Sequence, residues 1–416
     1  MLLKLAYKSL RARAFTTVLT IFSIALSVML LAGVDRLRGA AQAGFSGTIS
    51  HTDLVVGARG GDLPLLLSSV FHIGNASNNI SWDTYQHFAH HPAVAWTIPI
   101  SMGDSFHGYR VIATDDNFYA HFQYHRNKSI RFAEGRPPQT FSEAAIGAAA
   151  ARTLGIHMGQ QIILAHGIEE KSILNHDATP FTVVGILSPT ATPVDSTVFI
   201  TLLGDEAMHF GWTDGTPPAI GEEGPKLDPS KLKVDEITSF FLATKSRIST
   251  LYLEREINTY KPEPLTAIIP AFTLEELWSL LDYADTALSL VSSAVLVVGL
   301  LAMLIALYTA LNERRREIAI LRAVGMHARQ IFVLFLIEST LIASVGTALG
   351  LAAVYALLYL LQGIIETHFG LPIAFVGLST RVELYALATV LLGSLLGAIP
   401  AFRAYRNSLL GGLNVH

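Results

Sequence analysis

The chain contains no cysteine. That excludes disulfide bonds, iron–sulfur clusters and thiol catalysis, and it leaves the compartment open, because an extracytoplasmic domain need not carry a disulfide. Charge is also scarce: Asp, Glu, Lys and Arg make up 15% of the 416 residues and net to -4 at pH 7. A generally basic, nucleic-acid-binding chain is thereby excluded, and no nucleic-acid partner is expected. No Gly-x4-Gly-Lys-Ser/Thr stretch occurs, so the usual backbone cradle for nucleotide phosphates is missing. A Gly-x-Ser-x-Gly nucleophile elbow is missing too. What is abundant is apolar side chain, 51% of residues with a mean hydropathy of +0.44, which indicates that much of the chain lies in lipid.

Four runs carry that hydropathy: residues 15–34, 287–311, 331–361 and 382–402. As helices rising ~1.5 Å per residue, each is long enough to cross a hydrocarbon core of ~30 Å. We read them as four transmembrane helices. Ala41-Gln42-Ala43 looks like a leader-cleavage site, but the run before it exceeds the ~7–15 residues of a signal core, so the first span is read as a retained anchor. Basic residues gather beside the spans at Lys4, Lys8, Arg11 and Arg13, at Arg314, Arg315, Arg316 and Arg322, and at Arg403 and Arg406. The positive-inside rule puts these three places in the cytoplasm and residues 35–281 and 362–381 outside. In residues 1–14 Lys4, Lys8 and Arg11 share one helical stripe and Leu3 and Leu10 another, which predicts an amphipathic helix lying on membrane lipid. Residues 403–416 form a cytoplasmic tail.

The loop 312–330 reads NERRREIAILRAVGMHARQ. Ile318, Leu321 and Val324 recur at helical spacing, charged residues take the other sides, and Gly325 follows where a helix often stops. The spacing predicts a short amphipathic helix across the cytoplasmic ends of two spans. The competing reading is a solvated charge cluster that only fixes topology.

Glu313 to Gly325 closely resembles the coupling segment of permeases in the FtsX/MacB superfamily, the mechanotransmission (type VII) ABC transporters. Pro400-Ala401-Phe402-Arg403-Ala404 resembles the closing motif of the same family. The resemblance implies that Glu313, Arg314, Arg315, Arg316, Glu317, Ile318, Leu321, Arg322 and Gly325 couple this chain to an ABC ATPase subunit. It implies no catalytic residue and no cofactor on this chain, with ATP and Mg on the partner ATPase. It further implies a second permease copy or paralogue, a periplasmic adaptor or lipoprotein acceptor, and a place in the bacterial inner membrane with both termini cytoplasmic and the large domain periplasmic. The cargo class it implies is a lipoprotein, lipid, peptide or drug. With no nucleotide-binding sequence, the layout is similar to stand-alone lipoprotein-releasing permeases rather than to macrolide exporters, where that domain precedes the first span. Two other classes stay open: a non-transporting regulator of cell-wall hydrolases, and a metal-linked sensing or transport system.

Residues 35–281 are richer in turn-forming residues and hold twelve of the fifteen histidines. Short apolar runs predict strands over 53–56, 93–100, 109–113, 161–165, 181–187 and 197–201, and helices over 81–90 and 143–154, the first capped by Ser81. The domain is therefore expected to be mixed α and β, making the whole an α+β membrane protein. Residues 144–201 also resemble the family's extracytoplasmic core, in Ala150 to Gln160 and in Phe181 to Leu187 followed by Asp195 to Phe199. On that basis a membrane-proximal lobe is expected from about 35–81 and 233–281, around an inserted lobe of about 82–232. Residues 205–233 read as an irregular loop. Thr273 and Glu276 have capping-box spacing, and the helix they open is expected to run on into the second span.

Within the spans, Glu338 is a lone intramembrane carboxylate, costly at ~2.5–3.5 kcal/mol on insertion scales and expected to face a cytoplasmic-side Arg. Gly346, Gly350, Gly393 and Gly397 form two small-xxx-small pairs that allow close helix packing. Outside, His87, His90 and His91 crowd one predicted helix end, and His121 and His125 are four apart, so these five are the candidate metal ligands. The plainer reading of them is scattered surface histidines.

Overall fold

The computed structural model describes residues 2–76, 78–125, 127–167, 176, 179–212, 227–313, 315–369, 377 and 379–410. The chain divides into two compact units, one of Met1–Ala40, Leu281–Gly363 and Ile373–His416, the other of Ala41–Leu280 and Ile364–Pro372.

Four helices among the described residues are long and apolar enough to cross a membrane: α2 (Ala14–Gly47), α9 (Pro270–Glu313), α11 (Ala328–Phe369) and α12 (Thr380–Leu410). Ahead of them lies α1 (Leu2–Ala12), with Lys4, Lys8 and Arg11 exposed and Ala6 buried. Large apolar side chains such as Phe15, Phe22, Leu290, Val298 and Leu395 point outward, as a lipid-facing surface requires. Ile24, Val28, Leu31, Leu300, Met303 and Ile342 fill the bundle core. Lipid is as apolar as these side chains, so close approach and interhelical hydrogen bonds must hold the bundle. A Cβ on Gly346 would lie 2.8 Å from Ile24 Cγ2, and one on Gly350 2.6 Å from the Ala25 carbonyl oxygen, so α11 meets α2 backbone to backbone. Gly393 and Gly397 bring the backbone of α12 against the small side chains of Ala343 and Ser339 on α11. Ser27 donates from Oγ to the Val295 carbonyl, and the Thr340 and Ser394 hydroxyls meet at 2.9 Å. Arg38 of α2 forms ion pairs with Asp282 (2.5 Å) and Asp285 (2.6 Å) of α9.

The second unit is built on one mixed sheet. Its strands in chain order are β1 (Leu54–Ala58), β2 (Val94–Phe106), β3 (Tyr109–Thr114), β4 (Phe132–Gly135), β5 (Glu143–Ile146), β6 (Gln161–Ile162), β7 (Ala165–His166), β8 (Phe181–Leu187), β9 (Thr197–Thr201), β10 (Ser239–Thr244) and β11 (Leu265–Ile268). The order across the sheet is β11-β1-β10-β2-β3-β9-β5-β8-β4, with β7 beside β2 and β6 beside β8. Strand alternation sends Phe240, Leu242, Val198 and Ile200 to one face and Phe241 and Phe199 to the other. The first face is covered by Tyr85 and Phe88 of α4 (Trp82–Ala89) and by Leu253 and Ile257 of α8 (Arg247–Asn258). The second is covered by Leu66 and Val70 of α3 (Asp62–Phe71) and by Phe118 of α5 (Asp116–His121). Burial on both faces explains the continuous apolar runs in these strands.

The structure corrects several expectations. Residues 161–165 are not one strand but the separate β6 and β7, and of the expected irregular loop 205–233 the first residues end the helix Leu202–Met208, while 213–226 lie outside the described residues. Residues 143–154 are not one helix: Glu143–Ile146 is a strand and only Ala148–Leu154 (α6) is helical. Ala144, Ala145 and Ile146 are fully buried between β8 and β9, and periodicity cannot separate so short an apolar run from a helix. Between them Gly147 lies so close to the Val194 and Asp195 carbonyls that a Cβ there would fall 2.2 Å from Val194 O. The stretches 82–232 and 233–281 share the long β2, which pairs along its first half with β10 and along its second half with β3. Thr273 does not open a helix: α9 begins three residues earlier at Pro270, a favoured first residue, and the Thr273 hydroxyl turns back to the Ile269 carbonyl at 3.4 Å. From there α9 continues to Glu313 without interruption. His121 and His125 do not share a helix face, because α5 ends at His121 and Gln123–Tyr124 is extended.

Candidate functional site

The basic stretch after α9 forms a short helix, α10 (Arg315–Ala323). It ends in a Schellman turn: the Gly325 N–H donates to the Arg322 carbonyl and the Met326 N–H to the Leu321 carbonyl, both at 3.0 Å. Gly325 sits at φ +98, a conformation open to glycine and strained for any other residue. Two residues on, the His327 N–H donates to Gln330 Oε1 at 2.8 Å, and α11 begins. This tight double turn joins α10 to α11 and holds α10 against the spans.

One face of α10 is docked. Ile318, with Met326 just past the turn, packs on Ile331 and Phe335 of α11 and on Ala401 of α12. Ala401 is fully buried there, which leaves no room for a larger side chain in the Pro400-Ala401-Phe402 motif. The two sequence stretches that carried the family resemblance are thus in one packed cluster, although far apart in the chain. The other face is open. Arg322 is exposed, Ile320 is 57% exposed and Val324 82% exposed. Val324 was expected on the apolar, packed side. It falls instead on the cap residue of the Schellman turn, where the backbone leaves the helical path and swings the side chain away. Leu321 is half-buried. Arg314 lies outside the described residues, as do the side chains of Glu313, Arg315, Arg316 and Glu317.

Close by in sequence, Glu338 is completely buried on α11, and Arg13 Nη2 lies 3.8 Å from its Oε2. Arg13 sits in the turn between α1 and α2. A buried carboxylate demands such a partner, because an uncompensated charge there is expensive.

The five candidate metal-binding histidines are scattered. His87 stacks on Tyr260, His90 Nδ1 is 2.8 Å from the Gln86 carbonyl, His91 lies 3.7 Å from Glu256, His121 stacks flat on Trp96, and His125 occupies a turn near Gly47. Among the described residues the fold gathers a different set, Asp104, His166, His176 and His209. No spacing in the sequence marks them, because they come from separate elements; only the β2–β7 register, which pairs His166 with Asp104, links even two of them.

The family model described as MacB-like periplasmic core domain matches residues 17–223, and that described as FtsX-like permease C-terminal matches residues 289–409. The macrolide export ATP-binding/permease protein MacB of Escherichia coli (strain K12) is 36% identical over 120 residues, which are 29% of this chain and 18% of that protein. The protein of the same name from Shewanella sp. (strain ANA-3) is 32% identical over 111 residues, 27% of this chain and 16% of that one. The match thus takes in less than a fifth of the length of these relatives. Among solved structures, the periplasmic region of MacB from Actinobacillus actinomycetemcomitans aligns at 8% identity over 55% of this chain and 94% of that one, with a TM-score of 0.33. The extracellular domain of the noncanonic ABC-type transporter YknZ from Gram-positive bacteria aligns at 12% identity over 52% of this chain and 99% of that one, with a TM-score of 0.30.

Proposed function

The chain belongs to the FtsX/MacB-type ABC transporter permeases, and from that premise we propose that it receives mechanical work from an ATPase on a separate chain and delivers it to its periplasmic domain. The observation that carries this reading is the two-sided character of α10: one face anchored to α11 and α12 through Ile318 and Met326, the other presenting Ile320, Arg322 and Val324 outward. A helix anchored on one side and presenting both apolar and basic side chains on its open side suits a lever pushed by a docked protein. The partner is an ABC ATPase holding ATP and Mg, docked on the cytoplasmic face that the arginine-rich ends of the spans define. Work passes through the α10 turn into α11 and α12 and along the uninterrupted α9.

In this reading two permease copies, or one copy and a paralogue, act with two ATPases. The domain between the first and second spans clasps cargo already outside the membrane, of the lipoprotein, lipid, peptide or drug class, and hands it to an adaptor or acceptor. Both termini are cytoplasmic, and this chain performs no catalysis. The test is a triple replacement of Arg314, Arg315 and Glu317 by Ala, with Ile320→Asp and Val324→Asp as a second variant aimed at the exposed face. Both should insert normally, lose copurification with the ATPase, and uncouple ATP hydrolysis from transport. Unchanged ATPase association and activity in both would overturn the proposal.

A further inference from the structure

Four side chains from four chain segments converge in the sheet domain, outside anything the coupling mechanism uses. Asp104 lies on β2 and is buried. His166 is its cross-strand partner on β7. His176 is held by its own backbone N–H, which donates to the Leu164 carbonyl at 2.9 Å, and His209 caps the C-terminus of α7 (Leu202–Met208). His166 Nδ1 is 3.1 Å and His176 Nε2 3.4 Å from Asp104 Oδ1, His209 Nε2 is 3.7 Å from Asp104 Oδ2, and His209 Nε2 and His166 Nδ1 are 3.3 Å apart. One donor atom from each of the four lies within 4.8 Å of every other.

These separations have a chemical meaning. Imidazole and carboxylate bind Zn2+ at about 2.0–2.2 Å, and the edge of a tetrahedron is about 1.6 times its centre-to-corner length, so ligand atoms around zinc stand roughly 3.3–3.5 Å apart. The four distances, taken to one or other oxygen of the Asp104 carboxylate, straddle that value, and one ligand atom from each residue stays within 4.8 Å of the rest. We propose that Asp104, His166, His176 and His209 form a binding site for one divalent transition-metal ion of the zinc class.

Three further observations support it. Asp104 Oδ2 is buried and makes no hydrogen bond among the described residues, an expensive state for a carboxylate oxygen that a cation would relieve. The His209 Nδ1 lies 3.0 Å from the Asp205 backbone carbonyl, which can only accept, so Nδ1 carries the proton and Nε2 turns its lone pair toward the centre. That is the outer-sphere arrangement typical of metal-binding histidine. Trp212 packs against all three imidazoles, with ring centres 4.8 Å from His166, 5.1 Å from His176 and 5.1 Å from His209, and so supplies an apolar wall. Behind it the Ser101 hydroxyl donates to Asp205 at 2.6 Å, steadying the residue that orients His209.

Donor type selects the ion. Three nitrogens and one carboxylate suit Zn2+, Co2+ or Ni2+ and are poor for Ca2+ and Mg2+, which demand oxygen cages. Four protein ligands close the coordination shell, so the ion ties β2, β7 and the end of α7 together and performs no hydrolysis. The half-exposed rings of His166 and His209 provide its entry path.

The test uses the full-length protein in detergent, stripped with EDTA and titrated with Zn2+ against a chromophoric competitor, with bound metal counted by mass spectrometry. One Zn2+ per chain is expected, with Mg2+ and Ca2+ failing to compete, and Co2+ should give the intense visible bands of a tetrahedral site. Asp104→Asn and His176→Gln should each weaken Zn2+ at least 100-fold and abolish those bands. His87→Ala combined with His90→Ala and His91→Ala should leave both unchanged. So that the outcome does not depend on how a ligand variant folds, wild-type protein is also heated with and without Zn2+, and bound metal must raise its midpoint. No stoichiometric binding to the wild type, Co2+ spectra of octahedral type, or equal binding by the Asp104 and His176 variants would overturn the proposal. The site stands apart from the ATPase-coupling reading: metal binding needs no partner chain, so either can fail without the other.

Discussion

Adding a single methyl group at two glycines of the membrane bundle should change stability in opposite directions. At Gly350 a Cβ would lie 2.6 Å from the Ala25 carbonyl oxygen and 2.9 Å from Val28 Cβ, whereas ordinary contact begins near 3.4 Å. Neither neighbour is a flexible side-chain tip, so α2 and α11 must separate by about 0.8 Å. A gap of that size forfeits a quarter to a half of each dispersion contact it opens, at ~0.1–0.2 kcal/mol per atom pair. Spread over the Ile24, Val28 and Leu31 seam, the cost of Gly350→Ala comes to about 1–3 kcal/mol, the usual range for overpacking. At Gly33, on α2 itself, nothing lies within 4 Å of the same methyl. There the substitution only removes the flexibility of glycine in a helix and should stabilise by ~0.5–1 kcal/mol. Thermal unfolding of the full chain in one detergent, with both variants compared to wild type, reads the two signs directly. Equal shifts, or a Gly350→Ala protein as stable as the parent, would refute the claim that backbone contact at Gly346 and Gly350 holds the first and third spans together.

Removing the buried carboxylate by Glu338→Gln should destabilise the bundle by about 1–2 kcal/mol, below the ~3–5 kcal/mol of a fully buried pair because Arg13 keeps partial solvent access. A double-mutant cycle with Arg13→Ala should show coupling above ~0.5 kcal/mol, and strict additivity would discard the pairing. In the outer domain, Arg136 holds Glu143 through two hydrogen bonds at 2.7 and 2.9 Å, and Gln139 and Thr140 donate backbone N–H groups to it. These contacts lower the Glu143 carboxyl from 4.5 to about 2. The unfolded chain therefore binds the extra proton between those values, and the stabilisation present above pH 4.5 is lost as pH falls toward 2. Allowing for the solvent-exposed Arg136, Glu143→Gln should cost about 1–2 kcal/mol at pH 7 and flatten the acid limb of stability against pH; an unaltered limb would remove the assignment.

The helix α10 and the spans were legible because they rest on local patterns. Long apolar runs, clustered arginines and a glycine after a helical repeat all act within a few turns of chain, and the Schellman turn at Gly325 is their direct structural expression. Errors arose wherever a local pattern had two solutions. Glu143–Ile146 could be helix or strand, and burial between β8 and β9 chose strand. Thr273 had the right spacing for a cap, but Pro270 had already begun the helix. Val324 kept helical spacing while its backbone was leaving the helix. The histidines show the largest gap, since proximity in sequence pointed to His87, His90, His91, His121 and His125 and the assembled sheet brought together His166, His176 and His209.

By itself the sequence determined the number of spans, the mixed α and β character of the outer domain and the family, because hydropathy and short motifs are properties of contiguous residues. Only tertiary structure decided which side chains meet. The contact of Ile318 with Ala401, the burial of Glu338 near Arg13 and the convergence of three imidazoles on Asp104 each join segments remote in the chain. Such meetings depend on strand register and helix packing summed over many weak contacts, and no stretch of a dozen residues contains that information.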